Sequence, residues 1–309
     1  MRLLFFNSDT LCHQVFTGTI PPYAILSHRW GDEEFTFDDL VGQTGRNKEG
    51  YRKIEFCAKQ AAQDQLRYFW VDTCSINQLD ILERQKAINS MFLWYKKAAK
   101  CYVFLSDVSV STPEEALLQR RWEASFRKSQ WFTRGWTLQE LIAPRFAEFF
   151  SFEGHRLGDK ESLEQMLHDI TSIPVEALQN HTLDKFSVSE RMQWASGRKT
   201  TEPEDSVYCL LGLLDIFMLL SYGEGKDKAL ERLLLELETS KNAPFIVPFS
   251  RNSRYIGQES MLAKLQEKVV AGGSNRKIAI TGLGGIGKSQ LSLELAYRIK
   301  RRYNNYSVF

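Results

Sequence analysis

Gly282-Leu283-Gly284-Gly285-Ile286-Gly287-Lys288-Ser289 constrains what this chain can fold into more than any other stretch. Lys277 to Ile280 before it reads as a short buried strand. Gln290 to Arg301 after it reads as a helix, with Leu291, Leu295 and Ile299 on one stripe. A glycine-rich loop between a strand and a helix is the setting of a phosphate-binding loop. Glycines let backbone N–H groups close around phosphates, and the helix N-terminus adds positive potential. In that reading Gly282, Gly284, Gly285, Ile286 and Gly287 cradle ATP or ADP. Lys288 reaches the β- and γ-phosphates, and the Ser289 hydroxyl binds Mg²⁺. The bland alternative is a glycine-rich turn beside a lysine, and the flanking strand and helix argue against it. The loop lies so near Phe309 that a nucleotide domain has barely begun, so most of the chain must be something else.

The chain has 309 residues, enough for about two domains. Hydrophobic residues make up 43% and charged residues 25%, the balance of a soluble globular protein. A net charge of +2 gives no electrostatic reason to expect nucleic acid as a partner. Cys12, Cys57, Cys74, Cys101 and Cys209 are odd in number and contain no Cys-x-x-Cys. They read as reduced thiols of a cytosolic or nuclear protein without a zinc site, and we expect the cytoplasm. Met1 to Phe6 turns polar at Asn7, too early for a signal peptide. The longest apolar stretch, Cys209 to Tyr222, is short and carries Asp215, so no membrane span is expected.

Strands and amphipathic helices alternate through the first half. Strands are expected at Tyr23 to Ser27, Tyr68 to Asp72, Cys101 to Leu105 and Phe146 to Phe150. Helices are expected at Tyr51 to Leu66, Ile81 to Ala98, Glu114 to Phe126 and Thr137 to Ile142. This alternation predicts an α/β fold with a parallel sheet covered on both faces. Asp159 to about Ser240 reads as mostly helical. Ser240 to Ser253, with Pro244 and Pro248, reads as a linker.

Ligands of open parallel sheets bind beyond the carboxyl ends of the strands. Ser27, His28 and Arg29, then Asp72 and Thr73, then Ser106 and Asp107 follow three of the expected strands. A charged crevice and an ordinary solvated loop edge explain that placement equally well. A second cluster, Trp131 to Leu141, puts Glu140 beside Trp131 and Trp136. Thr137 and Glu140 have the spacing of a capping box, which is a structural role for the acid. The functional role is a buried carboxyl with a raised pKa, suited to acid/base work or to stabilising a cation. Arg191, Trp194 and Arg198 share one helix face, and an internal salt-bridge network is the favoured account of them. Cys74 with His28 nearby is a minor nucleophile candidate against the commoner buried thiol.

Tyr23 to Gly31, Trp70 to Gln78 and Arg134 to Leu141 resemble the three blocks of the fungal HET (heterokaryon incompatibility) domain. Arg191 to Ala195, and Glu204-Asp205 through Gly223-Glu224-Gly225, are similar to its later blocks. The resemblance spans about three-quarters of the chain and implies a cell-death effector triggered by non-self recognition. Ile25 to Asp32 and Trp136 to Leu141 in turn resemble boxes of TIR domains. That likeness implies a TIR-like parallel sheet with flanking helices, to which this chain adds a helical extension. It also implies NAD as a substrate, with Glu140 the key carboxylate and Ser27, His28, Arg29, Asp72 and Trp136 in support. N-glycosidic cleavage passes through an oxocarbenium-like state that a carboxylate stabilises. Phe249 to Asn252, Ile256 to Glu259 and the phosphate loop resemble the start of an NB-ARC module.

The expected organisation is therefore an effector at 1–239, a linker at 240–253 and the first βα unit of a P-loop NTPase at 254–309. A nucleotide would set the on/off state, self-association would follow activation, and sensor repeats would lie beyond Phe309. The alternative is an interaction module that kills by assembly or recruitment, without catalysis.

Overall fold

The computed structural model describes residues 1–179, 183–241, 251–252, 255, 259–270 and 287–302. The chain divides into two compact units, Met1–Leu230 and Glu231–Phe309.

The first unit is built on one seven-stranded sheet. Its strands are β1 (Arg2–Asn7), β2 (Thr10–Val15), β3 (Tyr23–His28), β4 (Tyr68–Trp70), β5 (Lys100–Phe104), β6 (Ala147–Phe150) and β7 (Arg156–Asp159), in the order β2-β1-β4-β3-β5-β6-β7. The four central strands are parallel, in the register Ile25↔Trp70, Ser27↔Val103 and Phe104↔Phe150. The expected α/β class is present, but the sheet is not wholly parallel. β1 and β2 form a hairpin on one side, β7 folds back on β6 on the other, and both additions are antiparallel. The hairpin turn places Ser8 in the left-handed region at φ 50°. Ser8-Asp9 is not one of the Asn-Gly or Asp-Gly pairs that mark such turns in a sequence.

Every residue of β3 is buried, as the central strand of a sheet covered on both faces requires. The core on one face joins Leu26, Ile54, Phe69, Tyr102 and Phe150. Helix Glu49–Gln63 contributes Ile54, Cys57 and Ala61 to it. Helix Ile81–Lys97 starts where the Asp80 carboxylate accepts from the Leu82 and Glu83 N–H groups, and ends with Lys96 and Lys97 near its exposed carbonyls. The helix expected over Glu114 to Phe126 is broken into Pro113–Ala116 and Gln119–Arg127. The Trp122 indole N–H donates to the Ala116 carbonyl at 2.9 Å, satisfying an acceptor that helix continuation would have used.

Beyond β7 the first unit is helical in short pieces. After Leu211–Leu214 the chain runs as an extended strap along helix Ile81–Lys97. The side-chain amides of Gln85 and Asn89 bond the backbone of Met218 and Leu220 there. Among the described residues no helix is long and apolar enough to cross a membrane.

In the second unit, helices Glu259–Val270 and Lys288–Arg302 pack through Leu262 on the first and, on the second, Leu291, Leu295 and Ile299, the stripe read from the sequence. Arg251, within the expected linker, is bidentate on Glu294 at 3.0 and 2.7 Å. The Lys277 to Ile280 strand and loop residues Gly282, Gly284, Gly285 and Ile286 lie outside the described residues.

Candidate functional site

The parallel strands run β4-β3-β5-β6, the second, first, third and fourth in chain order. The order reverses between β3 and β5, and in open α/β sheets such a switch point is where ligands bind. Ser27 and His28 end β3 on that side.

Short helix Thr137–Ile142 brings Glu140 to Ser27. The Ser27 hydroxyl donates to Glu140 Oε2 at 2.5 Å and accepts from the Trp131 indole N–H at 2.9 Å. The Tyr95 hydroxyl donates to the Leu26 carbonyl at 2.9 Å and also lies within hydrogen-bond reach of Glu140. Glu140 is 3% exposed. Burial, then the like charge of Asp72, pushes its carboxyl up to about 8, while Ser27 and Tyr95 pull the other way. It therefore stays protonated at neutral pH.

Asp72 opens the four-residue turn Asp72–Ser75 after β4. Its Oδ1 accepts from the Thr73 N–H at 2.8 Å and its Oδ2 from the Trp30 indole at 2.7 Å. Burial raises its pKa against the opposing pull of His28 and Trp30. The His28 ring stands between two acids, 3.7 Å from Asp72 and 3.6 Å from Glu34. Those separations exceed hydrogen-bond length, and neither His28 ring nitrogen has a hydrogen-bond partner. Lys53 closes the group by donating to Glu34 and, at 3.0 Å, to the Arg29 carbonyl. Burial opposes ionisation of Glu34, but His28 and Lys53 outweigh it and hold the carboxyl down at about 2.

Ser27, His28, Asp72 and Glu140 thus form one buried polar group. Arg29 does not join it through its side chain, which is exposed; only its carbonyl takes part. Trp136 turns away, and its indole donates to Asp205 at 3.0 Å, beside the Tyr222 hydroxyl on the same carboxylate. The carboxyl expected beside two indoles has Trp131 behind its serine, and Trp136 serves a second network.

The capping box expected of Thr137 and Glu140 does not form. Thr137 lies inside the first turn, with its hydroxyl on the carbonyls of Trp131 (2.6 Å) and Arg134 (2.9 Å). Glu140 is left to cross to the sheet. Arg191 and Arg198 bond carbonyls instead of carboxylates: Arg191 that of Leu213 at 2.7 Å, Arg198 that of Arg134 at 3.0 Å. Arg198 also reaches the Thr137 hydroxyl at 3.1 Å, so its role is to hold the Glu140 helix in place. Gly135 allows this close approach, since a Cβ there would stand 2.5 Å from Thr200 Cγ2. Asp107 clamps the preceding turn, accepting from Ser129 and the Gln130 N–H. Burial holds the Cys74 thiol well above its usual range, so it is no nucleophile at neutral pH.

Sequence reasoning missed Glu34, Lys53 and Tyr95. Glu34 follows the Ser27 to Gly31 stretch in an acidic run, and Tyr95 reads as one more core residue of a helix stripe.

A cavity of about 1130 Å³ opens at the other ends of β5 and β6, and none of Ser27, His28, Asp72 or Glu140 lines it. Lys160 does, 5% exposed, donating to the carbonyls of Ile142 at 3.2 Å and Pro144 at 3.0 Å. Burial pushes its ammonium down to about 7.

At the nucleotide loop, Gly287 takes φ 86° and leads into helix Lys288–Arg302. Lys288 and Ser289 therefore sit in the first turn of that helix, where the positive end of the helix dipole lies. Of the expected nucleotide loop, Gly287, Lys288 and Ser289 are the described residues. Among the described residues no three His, Cys, Asp or Glu side chains could hold a metal ion by themselves.

The family described as heterokaryon incompatibility protein (HET) matches residues 23–120. The chain carries a HET domain. Over 219 residues, 70% of its length, it is 55% identical to vegetative incompatibility protein HET-E-1 of Podospora anserina. Over 68 residues, 21% of its length, it is 41% identical to a nucleotide-binding leucine-rich repeat (NLR)-like protein of Hyaloscypha variabilis. The chain spans 16% and 7% of those two proteins. No solved structure matches it. The HET match holds Ser27, His28, Arg29 and Asp72 and stops before Glu140.

Proposed function

We propose that this chain is the death-inducing effector end of a fungal NLR-like non-self-recognition receptor, and that its Glu140 centre cleaves the nicotinamide–ribose bond of NAD. The likeness to a vegetative incompatibility protein and to an NLR-like protein supports the first part. One observation carries the second: a buried carboxyl, pushed up to about 8, at the switch point of a parallel sheet. Perturbed carboxyls in such places mark reaction centres. In the proposed step the C–N bond breaks and nicotinamide leaves with the electron pair. Glu140, ionised, stabilises the ribosyl cation. Water adds to C1, giving ADP-ribose, and its spare proton passes to solvent. Because Glu140 is neutral below about 8, turnover rises with pH through that value.

ATP or ADP at Gly282 to Ser289, with Mg²⁺ on Ser289, sets the balance between silent and active forms, and self-association accompanies activation. The purified full chain incubated with NAD tests the reaction. Wild type releases nicotinamide and Glu140→Gln does not. A lethal wild type that leaves NAD intact removes the enzymatic reading.

A second reading, death by assembly without catalysis, is favoured by the closure of the centre: Glu140 is sealed behind Ser27 and Tyr95. If Glu140→Gln keeps full toxicity, this reading replaces the first.

A further inference from the structure

Trp30 is 45% exposed, yet its indole N–H donates at 2.7 Å to a carboxylate that is otherwise buried. Beside Asp72 lie buried polar atoms without a hydrogen bond, the His28 ring nitrogens standing 3.7 Å from Asp72 and 3.6 Å from Glu34. Both His28 ring nitrogens and the Thr73 hydroxyl are buried and lack hydrogen-bond partners, and the two residues are 5% and 4% exposed. Orphaned buried groups of this kind are costly and call for a water or a ligand. The loop that carries Trp30 is pinned on both sides of it. Lys53 holds the Arg29 carbonyl at 3.0 Å, and the Gly31 N–H donates to Glu34 at 2.6 Å. The Trp30 side chain can therefore leave Asp72 while the backbone stays in place. Leaving forfeits one hydrogen bond and partial burial.

We propose that Trp30 is a removable plug, occupying on Asp72 the subsite that the planar carboxamide-bearing ring of a substrate takes. The indole itself displays the fit: a flat aromatic ring with one N–H aimed at the carboxylate. An aromatic carboxamide offers that same donor and adds a carbonyl acceptor, so it can serve Asp72 and the Thr73 hydroxyl together. The indole serves only the first. Asp72 is also near enough to Glu140 for the Glu140 carboxyl to sense its charge. The identity of the ring rests on the proposed cleavage of NAD, whereas the plug itself rests on Trp30, Asp72, His28 and Thr73.

Nicotinamide binding to the full chain, measured by ligand-observed NMR, tests the proposal. Trp30→Ala removes the internal competitor and should bind about ten-fold more tightly than wild type, with Trp30→Phe between them. N,N-dimethylnicotinamide, which lacks the N–H donor, should not bind Trp30→Ala, and that control needs no second substitution. Asp72→Asn in the Trp30→Ala background should also lose binding. The plug is overturned if Trp30→Ala binds nicotinamide no better than wild type, or binds the dimethyl analogue equally well. NAD turnover in the same samples separates this from the reaction. Trp30-gated binding without turnover keeps the plug and removes the reaction. Turnover alongside nicotinamide binding that ignores Trp30 does the reverse.

Discussion

Two ionisable side chains are buried against the short helix Thr137–Ile142: Glu140 within it and Lys160 at its C-terminal end. Burial moves both toward neutrality, the acid up to about 8 and the base down to about 7. Their surroundings differ. Glu140 is met by side chains chosen for it, the Ser27 and Tyr95 hydroxyls, with Trp131 closing the serine from behind. Lys160 donates to the Ile142 and Pro144 carbonyls and faces a broad cavity with Lys100 and Arg156 on its walls. Those two cations are matched by Glu148 and Asp159. The sealed group is held by side chains from three separate elements, whereas the one beside open space ties down the end of a helix. The two shifts share a cause, burial, and differ in what each group faces.

The largest test breaks the seal. Trp131→Ala removes a fully buried indole and should cost about 3–5 kcal/mol, the usual range for such a cavity. Water reaching Ser27 should bring the Glu140 pKa down toward 4.5. Urea denaturation followed by tryptophan fluorescence measures the cost for this unit alone, because all seven tryptophans lie within Met1–Leu230. A loss under about 1 kcal/mol would mean that the indole is not packed as described.

Next come the pH slopes, which should have opposite signs. The folded chain holds the Glu140 proton more tightly than the unfolded chain does. The resulting stability is full below pH 4.5 and is lost as pH rises through about 8. Glu140→Gln should flatten that fall, on the order of 5 kcal/mol. Lys160 works the other way. Its folded pKa is depressed from 10.5 to about 7, so the unfolded chain binds its proton more tightly. Stability is therefore lowest below 7 and recovers as pH climbs toward 10.5. Lys160→Met should abolish that recovery and gain about 2 kcal/mol at pH 6, since replacing a buried charge by an apolar group is often stabilising. Between pH 7 and 8 the two slopes oppose each other. Stability of the double variant should be nearly independent of pH there, as read from urea midpoints. A Lys160→Met protein that still gains stability above pH 7 would rule out this origin for the slope.

The sequence made one of these two sites visible and hid the other. Glu140 stands in a tryptophan-rich stretch whose apolar spacing announces burial, and Ser27 ends an apolar run that can only be a central strand. Their hydrogen bond spans 113 residues of sequence, and no local pattern reports a pairing at that distance. Lys160 lies in Gly158-Asp159-Lys160-Glu161, a polar run that looks solvated. Its burial comes from β7 folding back antiparallel on β6, a turn that strand–helix alternation does not predict. The N-terminal hairpin was hidden for a related reason. Phe5 and Phe6 made the segment look like the end of an apolar run, and its partner strand, with Cys12, His13 and Gln14, carries little apolar alternation. Helices Glu49–Gln63, Ile81–Lys97 and Thr137–Ile142, set by repeats of three and four residues within one segment, lie close to where periodicity put them.

The smallest effect is the sharpest check on which residues belong to the Glu140 group. Trp136 lies only about one helical turn before Glu140 in sequence, but its indole is committed to Asp205, which the Tyr222 hydroxyl also bonds at 2.8 Å. Trp136→Phe keeps most of the ring and removes the N–H, leaving a largely buried carboxylate with one donor fewer. The expected cost is about 1.5 kcal/mol, the low end for a hydrogen bond to a charged group. The pH slope between 4.5 and 8 should survive unchanged, because that slope belongs to Glu140 and its bond to Ser27 is intact. Denaturation at pH 5 and pH 8 gives both quantities at once. A slope lost together with the hydrogen bond would place Trp136 in the Glu140 group after all and merge the two networks into one.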